Sequence, residues 1–193
     1  MTAKVKSPFD AAPLSALAFG ELGEDATPVS ELDPLPIVVA AGSVAGSKPV
    51  FVPTLDTSAY AAGDVLFGFT AVPLLTAAGR IAMLSDLTIA DKADQGATIT
   101  LLFANASAAL GTINGVPSIS DADALKIIGA VKITADDWID LGGCRVAVLR
   151  NLNLILSATS GTDVYVGAIV TAGGTGGTFA ADSLQITFGK LDG

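Results

Sequence analysis

From Pro49 onward the apolar residues come in short runs, and each run is cut by a residue suited to a turn. The breaks include Ala61-Ala62-Gly63-Asp64, Asn114-Gly115, Gly142-Gly143, Ser160-Gly161 and the stretch from Gly173 to Gly177. Glycine and Asn-Gly steps supply the positive backbone angles that tight turns need. Runs of this length suit strands and are too short for a set of long helices. Alternation is plainest in Leu184-Gln185-Ile186-Thr187-Phe188 and Thr98-Ile99-Thr100-Leu101, where every second residue is apolar and would face a core.

The spacing predicts strands at Pro49–Pro53, Asp64–Ala71, Arg80–Ala90, Ala97–Phe103, Leu125–Ile133, Arg145–Leu149, Leu154–Ala158, Tyr165–Thr171 and Leu184–Leu191. Asp121-Ala122-Asp123-Ala124-Leu125 is expected to open a short helix, with Asp as the cap. The expected fold is all-β: an antiparallel β-sandwich over 49–193 with jelly-roll or Greek-key connections. Composition agrees. Of 193 residues 51% are hydrophobic and only 15% charged, against about 25% charged in an ordinary globular protein. That is ample material for one core.

Residues 1–48 have a different texture. Pro8, Pro13, Pro28, Pro34 and Pro36 interrupt them, and acidic residues cluster at Glu21, Glu24, Asp25, Glu31 and Asp33. No periodic apolar pattern persists, so the segment reads either as an extended arm reaching another surface or as a disordered leader. Pro8, Asp10 and Pro13 break the apolar stretch that a secretory signal would need. The run from Leu35 to Ala45 is too short to cross a bilayer, so no membrane partner is expected.

Chemistry is constrained by what is missing. The chain has no His, which removes Ser-His-Asp, Cys-His and His-containing zinc sites built from this chain alone. With 10 basic and 19 acidic residues its net charge is −9, which disfavours nucleic acid as a partner. One cysteine, Cys144, allows no internal disulfide; it opens an apolar strand with no His to act as its base. Ala41-Gly42-Ser43-Val44-Ala45-Gly46-Ser47-Lys48-Pro49 departs from a P-loop at Ser47 and Pro49, and reads as a flexible joint between arm and domain. Gly173-Gly174-Thr175-Gly176-Gly177 joins two strands, where a dinucleotide fingerprint would open a helix, and reads as a mobile loop tip.

Three further candidates remain. Asp136, Asp137 and Asp140 surround Trp138 and Ile139; paired carboxylates beside an aromatic platform are what glycoside hydrolysis uses. The competing reading is a capped turn with Trp138 packed inward. Asp121 and Asp123 could ligate Ca²⁺, yet the glycine and distal Glu of an EF-hand loop are absent. A Ser near Lys48, Lys92, Lys126, Lys132 or Lys190 would make a Ser-Lys dyad, and nothing selects one. No catalytic residue, cofactor or metal is therefore assigned.

A resemblance sharpens the reading. Ser58-Ala59-Tyr60-Ala61-Ala62-Gly63-Asp64-Val65, Gly79-Arg80-Ile81-Ala82-Met83-Leu84-Ser85-Asp86 and Asp91-Lys92-Ala93-Asp94-Gln95-Gly96-Ala97 occur in order. Leu101-Leu102-Phe103, Ser120-Asp121-Ala122-Asp123-Ala124-Leu125, Tyr165-Val166 and Asp182-Ser183-Leu184-Gln185-Ile186 follow them. Across residues 56–191 this order resembles small β-sandwich virion proteins of tailed bacteriophages. The resemblance implies a structural protein without enzymatic activity: a capsid cement or decoration protein on the head surface, assembled in the host cytoplasm. Its partners would be the major capsid protein and further copies of itself, as a dimer or trimer. The alternative is a head-fibre or tail module that binds a host surface or glycan through loops 104–121 and 172–182. A carboxylate-based glycoside hydrolase stands third.

Overall fold

The computed structural model describes residues 46–171 and 176–192. Most of the expected arm, residues 1–45, lies outside the described residues, as do Gly173, Gly174 and Thr175 of the glycine-rich loop.

The described chain is an antiparallel β-sandwich. Its strands are β1 (Gly46–Ser47), β2 (Val50–Phe51), β3 (Val65–Pro73), β4 (Ile81–Asp91), β5 (Ile99–Ala104), β6 (Ile127–Ile133), β7 (Trp138–Asp140), β8 (Arg145–Ser157), β9 (Asp163–Val170) and β10 (Leu184–Asp192). One sheet has six strands in the order β1-β10-β4-β8-β7, with β2 also paired to β10. The other has the order β3-β9-β5-β6. Consecutive strands mostly cross between sheets, so the core is built from residues far apart in the chain.

Alternation does this work. On β4, Ala82, Leu84, Leu87 and Ile89 point inward; on β10, Leu184, Ile186 and Phe188 do; on β5, Ile99, Leu101 and Phe103 do. Phe103 meets Phe188 edge-on at 6.2 Å between ring centres and ties the two sheets together. Phe51 and Phe67 make a second such pair at 5.7 Å. Burying a side chain of this kind contributes about 1.5–3 kcal/mol.

Several expectations change in detail. Gly46 and Ser47, placed in the arm by sequence, already pair with Leu191 and Lys190. The two strands expected at 145–149 and 154–158 form one strand, β8, which passes through Asn151 and Asn153 at positive φ. Asn tolerates that conformation better than most residues. The three-residue β7 was not anticipated; a Gly142-Gly143 turn with both φ positive folds it onto β8, closed by Leu141 N–H donating to the Cys144 carbonyl at 3.0 Å. The short helix, α1 (Asp121–Ala124), is present, but Ser120 caps it by accepting from Asp123 N–H, and the Asp residues occupy its first turn.

Candidate functional site

The sandwich has two outer faces, and the chain treats them differently. On the four-stranded sheet the segment between β5 and β6 lies against β9 and the start of β3. Asn114 N–H donates to the Val65 carbonyl at 2.8 Å, and Val65 N–H donates to Gly115 at 2.8 Å. Leu110 is 4% exposed. It sits so close over Gly167 that a Cβ there would lie 3.3 Å from its Cδ2 and 3.1 Å from Phe69. Ala109 N–H and the Lys126 ammonium both bond Asp123, and Asn114 reaches Asp56. Ser58 holds the Asp56 carboxyl below the usual carboxylate range, and Lys126 does the same for Asp123.

The six-stranded sheet has no comparable cover among the described residues. Register sets its outward side chains in rows across the strands. One row runs Val50, Thr187, Thr88, Val148; the next is Gln185, Ala90, Val146, Ile139. Toward the other end lie Gly189, Asp86, Arg150 and then Gly46, Leu191, Met83, Ile155. Val50, Val148, Ile139 and Ile155 are exposed, Ile155 at 60%. Apart from Asp86 and Arg150, with Lys48 beside them, these rows carry no charge, although the whole chain carries −9.

The middle of this face is where three strands lose regular register together. Ser85 is an extra residue in β4 relative to β10, and Asn151 to Asn153 are three residues of β8 opposite that one. Bulges re-aim side chains. Here Ser85 and Asp86 both turn outward, and a cleft of about 360 Å³ opens, lined by Lys48, Ser85, Asp86, Thr88, Val148, Arg150 and Asn151. The Ser85 hydroxyl lies 2.9 Å from both Asp86 Oδ2 and the Gly189 carbonyl, so its one proton serves either. Lys48 Nζ stands 3.9 Å from Asp86. The Asp86 carboxylate lies over Gly189, in the space a Cβ would need. The cleft thus presents two cations, one anchored carboxylate and small hydroxyls, a set suited to polar recognition within an apolar surround.

The residues singled out from sequence are placed elsewhere. Asp136 and Asp137 lie on one turn of 3₁₀ helix, where Asp137 accepts from Thr134 N–H and hydroxyl, both at 2.7 Å. Those bonds hold the Asp137 carboxyl below its ordinary range. Trp138 is half-buried and donates from Nε1 to the Ala97 carbonyl at 3.0 Å. Asp140 accepts from Gly142 N–H at 2.8 Å and faces Arg145, which also bonds Asp94. Asp137 and Asp140 thereby serve a capped turn and a hairpin. Asp123 is engaged with Lys126, and among the described residues no group of three or more Asp, Glu or Cys side chains could hold a metal ion. Cys144 is half-buried at the hairpin. Of the lysines, Lys48 stands beside Ser85 in the cleft, Lys126 bonds the Ser107 carbonyl, and Lys190 is buried against Asp192. Gly176 and Gly177 are packed, one on Tyr60 and the other on Gln95, while Tyr60 N–H donates to the Gly177 carbonyl at 3.0 Å. No described helix is long and apolar enough to cross a membrane.

Sequence reasoning passed over the cleft. Its signal was the pair Ser85-Asp86 between Leu84 and Leu87, which shifts the alternation by one residue, echoed by Asn151 and Asn153 inside an apolar strand.

No family model matches the chain, and no curated protein matches it. Among solved structures, one of infectious bursal disease virus, Gx strain, aligns over 77% of this chain and 40% of that chain, with 12% identity and a TM-score of 0.18. A TM-score that low carries no argument. The class that the strand pairing defines is the antiparallel β-sandwich.

Proposed function

We propose that the protein is a structural component of a tailed-phage virion, a capsid cement or decoration protein acting without catalysis. The observation that carries this reading is the open outer face of the six-stranded sheet, where apolar rows flank a small charged cleft. Exposed apolar side chains gathered on one face, here Val50, Ile139, Val148 and Ile155, mark association surfaces. The strand order supports a jelly roll: with β1 and β2 read as one interrupted strand along β10 and β7 as an added edge strand paired to β8, two four-stranded sheets remain, β1/β2-β10-β4-β8 and β3-β9-β5-β6. Such a unit would hold neighbours together on the head surface, its copies adding up many modest contacts. The capsid anchor is assigned to the Pro-punctuated segment before Gly46, whose acidic and apolar residues differ in kind from the sandwich.

The test is co-sedimentation with matching capsids that lack the protein, using the full chain and a chain that begins at Gly46 so that β1 is kept. Saturable binding by the full chain, lost on truncation, is the expected result. Absence of binding by both forms would overturn the cement reading and favour a fibre or tail module.

A further inference from the structure

We infer that the open face of the six-stranded sheet pairs with the same face of a second copy, about a two-fold axis parallel to the strands and between β4 and β8. This rests on the reading of that face as an assembly surface and names its occupant.

Register carries the inference. Asp86 on β4 stands directly opposite Arg150 on β8, and both point outward. When two such sheets are laid face to face about this axis, β4 of one copy lies over β8 of the other at the same level. Asp86 then meets the partner copy's arginine, and Arg150 meets its aspartate. The same operation sets Met83 against isoleucine 155 of the other copy and Thr88 against its valine 148, so uncharged rows meet uncharged rows on both sides of the ion pairs. An axis perpendicular to the strands would instead oppose like charges.

Other features agree. Among the described residues Arg150 makes no ion pair within its own chain, because Asp86 leans the other way, over Gly189 and toward Ser85. The cleft beside it, about 360 Å³, is a socket for an incoming guanidinium. Arg in such a pocket is a frequent anchor of interfaces. The face carries Lys48, Asp86 and Arg150 against −9 for the chain, so most of the repulsive charge lies away from the contact. The strands that overlap about this axis, β10, β4, β8 and β7, have 9, 11, 13 and 3 residues and, at about 3.3 Å per residue and about 4.8 Å between strands, present roughly 570 Å². Two copies would bury about 1,100 Å², which clears the roughly 1,000 Å² expected of a specific interface. Aligned sheet packing at about 10 Å is an ordinary arrangement.

The experiment is sedimentation velocity on the full chain, with charge reversals at the paired positions. The wild type is expected to be a dimer with a dissociation constant of about 1 µM or tighter. Asp86→Arg alone or Arg150→Asp alone should weaken it about 100-fold, because each reversal places like charges together twice. Mixing the two single variants should restore a dimer, since every contact between them is then complementary. Should Asp86→Arg fail to fold, Ile155→Asp and Val148→Asp, both at exposed positions, are expected to give folded monomers. A wild type that stays monomeric at about 100 µM, a trimer, or a dimer indifferent to all of these changes would overturn the inference. Capsid binding is read separately: a capsid-binding monomer would sink this inference alone, and a dimer that ignores capsids would sink the cement reading alone.

Discussion

On the four-stranded sheet, Leu110 and Phe69 close over Gly167, and the backbone of residues 114 and 115 is bonded to Val65. On the six-stranded sheet, Val148 and Ile155 stand exposed, and no described segment crosses them. Both faces belong to one sandwich and both carry apolar side chains. The difference lies in the connections: 22 residues join β5 to β6, enough to fold back over a sheet, whereas the Gly142-Gly143 turn joins β7 to β8 with nothing to spare. A face that the chain covers itself contributes to folding; a face that no described segment covers is where an assembly contact is proposed.

The contrast can be broken most forcefully from the covered side. Leu110→Ala should cost about 3 kcal/mol in urea unfolding, because it leaves a cavity between the covering segment and β9. A loss below about 0.5 kcal/mol would mean that the segment lies on the sheet without holding it.

Gly189→Ala acts at the centre of the open face. Its methyl group must displace the Asp86 carboxylate, at an expected cost of about 1–3 kcal/mol. Association should weaken alongside stability. Unchanged stability and association would show that Asp86 moves aside freely.

Acid should loosen the covered face first. Asp56 and Asp123 both bond the covering segment, and their carboxyls are held below the usual range, Asp56 by Ser58 and Asp123 by Lys126. Groups with depressed folded values contribute stability above their unfolded pKa, near 3.9 for Asp, and lose it as pH falls through the lower folded value. Below about pH 4, amide protection corrected for intrinsic rate should therefore drop in residues 105–120 before it drops in β4 or β8. Simultaneous loss would contradict the assignment. Smallest in its effect on folding is Ile155→Asp, expected to change stability by less than about 1 kcal/mol while abolishing self-association.

Much of the sandwich was legible in the sequence, because period-two alternation in segments such as Leu184 to Phe188 records directly which face is buried. The break at Ser85-Asp86 was equally present, but one shifted residue is weak evidence when the partner strands are unknown. Its meaning depends on β8 and β10 losing register at the same level, and strand pairing between residues 86 and 150 is not written locally. For the same reason Asp136 to Asp140 drew attention from sequence: adjacent carboxylates stand out, and although Thr134 and Gly142 are local, the contacts that fix the segment as structural, Trp138 to Ala97 and Arg145 to Asp94, reach across the chain. β7 went unseen because three residues show no period.

The most direct measurement is capsid co-sedimentation of the full chain in three forms: wild type, Ile155→Asp on the open face and Val116→Asp on the covering segment, where Val116 is 81% exposed. If the open face is the assembly surface, Val116→Asp will bind as the wild type does, and Ile155→Asp will bind weakly, having lost the second copy's contribution. Equal binding by all three forms, or a loss confined to Val116→Asp, would contradict the account.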